Sequence, residues 1–253
     1  MKKTILVTGA TSGFGKAIAS LFASKNWNVI ITGRRNERLS ELKKDLTEKY
    51  GVEVLSICFD VRDEQAVSTA VKNLPEHWFN IDVLVNNAGL ALGKESIQEG
   101  SVEQWNTMID TNLKGLLYMT KAIVPFMIEK KSGTIINIGS IAGKEAYAGG
   151  NVYNASKFAV DGLTKSIRFD LAPHNIRVSQ IAPGAAETEF SIVRFSGDDS
   201  KAKATYRGFI PLDATDIAEA AWFIASRPQH VSVNDIVIMP TAQASASVIH
   251  RNS

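Results

Sequence analysis

The chain has 253 residues, of which 45% are hydrophobic and 21% are charged, and its formal net charge at pH 7 is +2. This composition supports a sizeable hydrophobic core and excludes an intrinsically disordered chain. The small net charge gives no reason to expect nucleic acid or an anionic membrane surface as a partner.

The cysteine, the histidines and the hydrophobic runs limit the chemistry and compartment that the sequence predicts. Cys58 lies in an apolar stretch, where we expect a buried side chain, and it has no second cysteine for a disulfide, so we expect a cytoplasmic protein. The histidines are scattered without ligand spacing, which predicts no metal site. No window reaches the roughly 18 consecutive apolar residues of a membrane span, so no membrane segment is expected.

Short β-branched runs alternate with helical patterns along the whole chain. Strands are predicted at 3–8, 29–32, 52–59, 83–85, 134–138, 177–181 and 236–238. Helices are predicted at 15–25, 36–50, 63–74, 102–130, 151–172 and 213–226. Several strand runs are almost entirely apolar, as expected where helices cover both faces of a sheet. The alternation therefore predicts one doubly wound α/β domain with a parallel sheet over residues 1–253.

The first predicted strand leads into a glycine-rich turn with glycines at Gly9, Gly13 and Gly15. Glycines let the backbone approach a pyrophosphate, and the N-terminus of the next helix offers free N–H groups and a partial positive charge. The strict G-x-G-x-x-G spacing is not met, because Ile18 holds the last position, and an ordinary βα turn is the alternative. The position after the first strand favours a dinucleotide site.

The end of the second predicted strand indicates which dinucleotide binds. An acidic residue there would accept hydrogen bonds from a free ribose 2′-hydroxyl. This chain has Arg34 and Arg35 instead, two guanidinium groups suited to a 2′-phosphate. The alternative is a pair of solvated charges, but cations at a helix start oppose the helix dipole. The sequence therefore predicts NADP(H).

Tyr153 lies thirteen residues after Ser140, and Lys157 follows one helical turn later. A phenol with its ordinary pKa of about 10 is a poor base at neutral pH, and a neighbouring ammonium group favours the phenolate. In a reduction, charge develops on the carbonyl oxygen, where the Ser140 and Tyr153 hydroxyls can both donate hydrogen bonds. Taken singly, Ser140 is equally a turn hydroxyl and Tyr153 a packed aromatic residue.

These motifs together resemble the short-chain dehydrogenase/reductase family over essentially the whole chain. They are Thr8-Gly9-x3-Gly13-x-Gly15, Asn86-Asn87-Ala88-Gly89, Asn112, Gly139-Ser140, Tyr153-x3-Lys157 and Pro183-Gly184. The resemblance implies a Rossmann-type fold with a parallel seven-stranded sheet. It also implies hydride transfer between a nicotinamide cofactor and a carbonyl or alcohol.

The resemblance also implies the role of each site residue. Tyr153 is the expected acid/base, Lys157 lowers its pKa and holds the nicotinamide ribose, Ser140 binds the reacting oxygen, and Asn112 holds a water that links Lys157 to solvent. Asn112 is alternatively a polar residue that bends its helix. Cofactor contacts are further expected at Gly9, Thr11, Ser12, Gly13, Phe14, Gly15, Arg34, Arg35, Asp60, Val61, Asn87, Ala88, Gly89, Pro183, Gly184, Ala186 and Thr188. Phe14 and Ala186 depart from the common family pattern.

The stretches 187–199 and 234–241 are similar to those of the NADP-dependent 3-hydroxy acid dehydrogenases, which act on serine, allo-threonine and related acids or reduce malonic semialdehyde. A small acid needs a cation for its carboxylate, and Arg194 lies on the segment 186–212, which is expected to close over the substrate. Lys94, Lys144 and Arg207 are alternatives. Arg194 is otherwise a surface charge, or an ion-pair partner of Asp198 or Asp199.

Two other functions fit the motifs. One is reduction of a different carbonyl, such as a 3-oxoacyl thioester, a sugar or a ketone, although the mixed polarity of 190–210 disfavours a long apolar substrate. The more distant one is a non-catalytic NADP-binding protein. The family resemblance also suggests a homotetramer that pairs helices 102–130 and 151–172. The polar tail, 242–253, is either disordered or reaches a neighbouring subunit.

Overall fold

The reversal of strand order in one parallel sheet determines where a ligand can bind. The computed structural model describes residues 2–195 and 197–252. The strands are β1 (Thr4–Val7), β2 (Asn28–Gly33), β3 (Val54–Cys58), β4 (Val83–Asn86), β5 (Gly133–Ile138), β6 (Ile176–Pro183) and β7 (Asp235–Ile238). Their order is β3-β2-β1-β4-β5-β6-β7, and all pairs are parallel. The order reverses between β1 and β4, which opens a crevice at the carboxyl ends of the strands.

Helices cover both faces of the sheet. They are α1 (Gly13–Ser24), α2 (Asn36–Tyr50), α3 (Glu64–Lys72), α4 (Val102–Ile109), α5 (Gly115–Lys130), α6 (Asn151–Leu171), α7 (Glu189–Arg194), α8 (Asp199–Ala204) and α9 (Ala214–Ala225). The core around α1, α2 and α9 contains Ile5 and Val7, whereas the core around α3, α5 and α6 contains Leu6. Successive strand residues point to opposite faces, so one apolar run contributes to both cores. The sequence prediction of a doubly wound α/β domain is thereby confirmed.

The predicted helix 102–130 is interrupted. A π-helical segment, Asp110–Lys114, separates α4 from α5 and contains the buried Asn112. Single π-helical turns inside α-helices are frequent at functional sites. The short helices α7 and α8 were not predicted from the sequence, and they begin where the side chains of Thr188 and Asp198 accept hydrogen bonds from the following backbone N–H groups.

The structure corrects the expected burial of Cys58 and shows where the tail packs. Cys58 is exposed rather than buried, because β3 is the edge strand of the sheet. The tail after Thr241 packs on the protein: Gln243 is buried and forms an antiparallel bridge with Ile249. Ser253, the end of the predicted tail, lies outside the described residues. Within the described ranges, no helix is long and apolar enough to cross a membrane.

Candidate active site

Two adjoining cavities lie at the crevice formed by the carboxyl ends of the strands. The first is lined by the predicted cofactor residues Gly9, Thr11, Ser12, Gly13, Phe14, Arg34, Arg35, Asp60, Val61, Asn87, Ala88, Gly89, Tyr153, Lys157 and Thr188. The second is lined by the predicted residues Phe14, Ser140, Tyr153, Pro183, Gly184, Ala186, Thr188 and Arg194. Tyr153, Phe14 and Thr188 line both cavities. The predicted site residues outside these two linings are Gly15 and Asn112. Each contacts residues of the first lining: Gly15 lies against Gly9, and Asn112 bonds to Leu90.

The glycine-rich turn forms the floor of the first cavity. Gly9 and Gly13 have φ of +66° and +50°, conformations that favour glycine. A Cβ at Gly15 would lie 2.5 Å from the carbonyl oxygen of Gly9, so this helix residue must also be glycine. Ser12 precedes α1 without a capping hydrogen bond from its side chain, and the first turn of the helix has no acidic residue. The first N–H groups of α1 therefore suit a pyrophosphate.

Arg34 and Arg35 both line this cavity but differ in their contacts. The Arg34 side chain is 56% exposed, and its nearest ion-pair partner is Asp60, at 3.8 Å. Arg35 donates to the Thr11 hydroxyl at 2.6 Å and the Ser12 hydroxyl at 2.8 Å, and pairs with Glu189 at 3.1 Å. The exposed guanidinium of Arg34 lines the same cavity as the uncapped N-terminus of α1 and fits a phosphorylated ribose.

Asp60 lines the same cavity beside Arg34. Its carboxylate accepts hydrogen bonds from the Arg62 side chain at 2.7 and 2.9 Å and from the Arg62 backbone. Burial alone raises the pKa of Asp60, but the hydrogen bonds and charge of Arg62, with the charge of Arg34, hold it below its ordinary value. Asp60 is therefore an ionised hydrogen-bond acceptor at neutral pH.

The α6 helix places Tyr153 and Lys157 on one face, and both side chains are buried. The Lys157 ammonium donates to the carbonyl oxygen of Ile138 at 2.9 Å and lies 5.9 Å from the centroid of the Tyr153 ring. Ser140 follows β5, and its hydroxyl oxygen accepts a hydrogen bond from the Ala142 N–H at 3.1 Å. The hydroxyl itself donates a long hydrogen bond, 3.5 Å, to the Pro183 carbonyl, which a ligand oxygen in the second cavity can replace.

Burial shifts the pKa of both groups. It raises the pKa of the Tyr153 phenol, with a further increase from Tyr147, while the Ser140 hydrogen bond and the charge of Arg194 act in the opposite direction. Burial also lowers the pKa of Lys157 to about 8. The lowering of the phenol pKa by Lys157 therefore stays a prediction. Tyr153 is thus a neutral proton donor at neutral pH.

Asn112 connects the Leu90 backbone with the start of α6, where Tyr153 lies. Its side chain donates to the Leu90 carbonyl and accepts from the Leu90 N–H, both at 2.8 Å. It also donates to the Ser156 hydroxyl at 3.0 Å, and Ser156 donates to the Tyr153 carbonyl at 2.8 Å. Sequence reasoning missed Leu90 and Ser156, although Ser156 directly precedes Lys157 in the motif.

Arg194 lies in the second cavity, beside the reacting groups. It donates to the Tyr147 hydroxyl at 2.8 Å and to the Gly93 carbonyl at 3.2 Å, and its guanidinium carbon lies 5.7 Å from the Tyr153 ring centroid. Its Nη2 is buried without a hydrogen-bond partner among the described residues. A buried cationic donor without a partner is costly, so this atom is suited to an anionic ligand. Sequence reasoning missed Tyr147.

The proposed ion-pair partners of Arg194 and the alternative cations for the carboxylate differ in where they lie. Asp198 and Asp199 pair with lysines of α8 rather than with Arg194. Lys144 is held by Asp161 and Asp235, and these bonds raise its pKa although burial acts to lower it. Of the other rivals, Lys94 lines the second cavity, whereas Arg207 does not.

Several residues that complete the two cavities were not predicted from the sequence. They include Leu90, Thr111, Ile138, Glu189, Phe190 and Val193 in the first cavity and Tyr147, Tyr206, Gln243 and Ala246 in the second. Gln243 accepts a hydrogen bond from the Ala185 N–H at 2.7 Å, which attaches the C-terminal tail to the cavity wall. Such long-range contacts leave no local signal in a sequence.

Comparisons with known proteins agree with this geometry. A family model described as short chain dehydrogenase matches residues 3–198. NADP-dependent 3-hydroxy acid dehydrogenase YdfG from Escherichia coli (strain K12) is 49% identical over 249 residues, covering 98% of this chain and 99% of the relative. Sulfoacetaldehyde reductase 2 from Chromohalobacter salexigens is 47% identical over 254 residues, covering all of both chains. The closed form of serine dehydrogenase complexed with NADP+ superposes with a TM-score of 0.93 at 49% identity, covering 98% of this chain and 100% of that one.

Proposed function

The chain belongs to the short-chain dehydrogenase family, and we propose that it transfers a hydride between NADP(H) and a small 3-hydroxy or 3-oxo acid. The observation that carries the choice of substrate is the buried, unpartnered Nη2 of Arg194 in the cavity that contains Ser140 and Tyr153. A planar guanidinium binds a carboxylate through two parallel hydrogen bonds. The 3-hydroxy acid dehydrogenase relative at 49% identity supports the same class of substrate.

The residues of the first cavity are suited to hold the cofactor. The free N–H groups at the start of α1 would bind the pyrophosphate, and Arg34 would bind the 2′-phosphate. Asp60 and Val61 would contact the adenine, and the Asn87–Gly89 loop would line the adenosine side. Pro183–Thr188 would face the nicotinamide carboxamide. When bound, NADP(H) supplies or accepts the hydride at the substrate carbon.

Tyr153 is suited to protonate the reacting oxygen, and Ser140 to stabilise the charge that develops on it. Because burial raises the pKa of Tyr153, the phenol is protonated at neutral pH and donates its proton to the oxygen as a carbonyl is reduced. Ser140, held by the Ala142 N–H, donates a second hydrogen bond to that oxygen. Both donors are positioned before the charge develops, so little reorganisation is needed.

Lys157 is suited to return the proton to Tyr153. With a pKa of about 8, its amine exchanges protons readily near neutral pH. Asn112 positions the start of α6 through Ser156, and a Cβ at Gly89 would lie 3.6 Å from the Lys157 ammonium and 3.2 Å from the Asn112 amide oxygen. The narrow space beside Gly89 therefore lies where a relay water between Asn112 and Lys157 is expected.

Steady-state kinetics with purified protein test the substrate class. NADP is supplied with L-serine, L-allo-threonine and 3-hydroxypropionate, and NADPH with malonic semialdehyde and with a neutral aldehyde of similar size. We expect turnover on the acids, and in Arg194→Ala a KM raised about 10- to 100-fold for acids, because a charged hydrogen bond is worth about 1.5–3 kcal/mol. The neutral aldehyde serves as the control. Equal loss on both substrates would contradict the carboxylate role of Arg194.

A sulfonated aldehyde is a second candidate substrate. The sulfoacetaldehyde reductases of Chromohalobacter salexigens are 47% and 46% identical to this chain. A sulfonate presents three acceptor oxygens, and Arg194, Tyr147 and Lys94 line the same cavity. Adding sulfoacetaldehyde to the same assay separates the two: the higher kcat/KM identifies the anion for which the cavity is built. Activity confined to neutral carbonyls would instead favour a different reductase.

We also propose a homotetramer built through the helices around the site. Large apolar side chains are exposed on α4, α5 and α6, among them Val102, Leu117, Phe158 and, at 81% exposure, Phe169. An exposed apolar surface of this kind is typical of subunit interfaces. Sedimentation velocity of the protein and of a Phe158→Glu, Phe169→Glu double variant tests the proposal. A protein that sediments as a monomer would contradict it.

A further inference from the structure

A three-residue ion-pair cluster connects the two sides of the cofactor cleft. Glu189, the first residue of α7, pairs with Arg38 of α2 at 2.8 and 2.9 Å and with Arg35 at 3.1 Å. These partners lie more than 150 positions apart in the sequence. The hydrogen bonds from Arg35 and Arg38 hold the pKa of Glu189 below its ordinary value although burial acts to raise it, so the carboxylate is ionised at neutral pH.

The cluster contacts the glycine-rich turn from both sequence segments that it joins. Thr188, next to Glu189, packs on this turn: a Cβ at Gly13 would lie 3.4 Å from the Thr188 Cβ. Glu189 and Arg35 both line the first cavity. Arg35 also donates hydrogen bonds to the Thr11 and Ser12 hydroxyls, so its guanidinium is already bonded to protein groups. The Arg34 side chain, in contrast, is exposed. The cavity and the ion pairs therefore coexist in one structure.

We propose that Glu189, Arg35 and Arg38 form a clasp that holds the closing segment across the bound dinucleotide and slows its release. The proposal rests on the proposed function, because it places NADP(H) in the first cavity. Glu189 acts here as a positioning residue: it holds α7 in place and leaves the 2′-phosphate to Arg34. The clasp therefore retains NADPH and NADH alike, whereas Arg34 distinguishes them.

The rate of cofactor release tests the clasp directly. NADPH is preloaded and displaced by excess NADP+ in a stopped-flow instrument, with nicotinamide fluorescence as the readout. We expect Glu189→Gln to accelerate release about fivefold, the effect of losing two half-exposed ion pairs, and to accelerate NADH release equally. Asp199→Asn removes the same charge from an exposed position of the same segment that lines neither cavity, so it is the control and leaves the rate unchanged.

A double-mutant cycle separates the clasp from a general change in charge. Arg38→Gln is expected to accelerate release about twofold, because Arg35 still holds Glu189. The Glu189→Gln, Arg38→Gln double variant is expected to match Glu189→Gln alone. At about 1 M salt, where the Debye length is about 3 Å, wild type and Glu189→Gln should converge.

Each of the following results would overturn the clasp: an unchanged release rate in Glu189→Gln, additive effects in the cycle, or the same acceleration in the Asp199→Asn control. Tighter NADPH binding in Glu189→Gln would also overturn it, because Glu189 would then compete with the 2′-phosphate for the arginines. Failure of the wild-type protein to bind NADPH would reject the proposed function itself. The two failures are therefore distinguishable.

Discussion

Lys157 is kept in the protein at a cost in stability, and this cost can be measured. The side chain is only 6% exposed, and burial lowers its pKa from 10.5 to about 8. Because each pKa unit corresponds to about 1.4 kcal/mol, the protonated lysine destabilises the native state by about 3 kcal/mol at pH 7. Replacing it with methionine removes this penalty but leaves the Ile138 carbonyl without its donor, at a cost of about 1 kcal/mol.

The net expectation is that Lys157→Met is about 2 kcal/mol more stable than wild type at pH 7. The sign follows from proton uptake. Between pH 8 and 10.5 the unfolded chain binds the lysine proton and the native protein does not, so the stability of wild type rises with pH in this window. The advantage of the variant is therefore largest below pH 8 and falls to nearly zero by about pH 10.

Urea unfolding of wild type and Lys157→Met at pH 7 and pH 10, monitored by tryptophan fluorescence, measures both quantities. Lys43→Met, at an exposed position of α2, is the control and should give no pH-dependent difference. Turnover of Lys157→Met should fall by about 100-fold or more, the usual effect of losing an acid–base group. A variant that is less stable than wild type at pH 7, or a difference independent of pH, would refute the reasoning.

Further predictions concern the turn, the phenol and the tail. Gly15→Ala should abolish NADPH binding in a fluorescence titration, because its Cβ would lie 2.5 Å from the Gly9 carbonyl oxygen; normal binding would contradict this. Because the pKa of Tyr153 is raised and that of Lys157 is about 8, kcat/KM for reduction should stay constant through neutral pH and fall as Lys157 loses its proton above about pH 8; a fall below pH 7 would contradict it. Gln243→Ala should raise KM for the acid about tenfold, because it leaves the Ala185 N–H without its acceptor and opens the wall of the second cavity. The affinity for NADPH should not change. An unchanged KM would count against the tail as part of the cavity.

The sequence predicts the sheet and the cofactor loop well because both depend on local patterns. The apolar run of β1 and the glycines of the following turn have a period and a spacing that indicate their structure. The same holds for Tyr153 and Lys157, which share a helix face through their spacing alone. In each case the structural information lies within about a dozen residues.

Other features depend on contacts that no local pattern encodes. Cys58 is exposed because β3 forms the edge of the sheet, a property of strand order rather than of the apolar run itself. The π-helical segment contains Asn112, which bonds to the Leu90 backbone 22 positions away. The pairing of Glu189 with Arg38 spans 151 positions. Each of these became visible only in three dimensions.

Two cations flank the Tyr153 ring at similar distances, with Lys157 at 5.9 Å and Arg194 at 5.7 Å from its centroid. An anionic substrate on Arg194 would neutralise much of that guanidinium's field at the phenol. The pKa of Tyr153, already raised by burial, would then rise further, and the phenol would remain a proton donor. One arginine thereby links substrate recognition to the protonation state required for reduction. For oxidation, Lys157 alone would have to favour the phenolate.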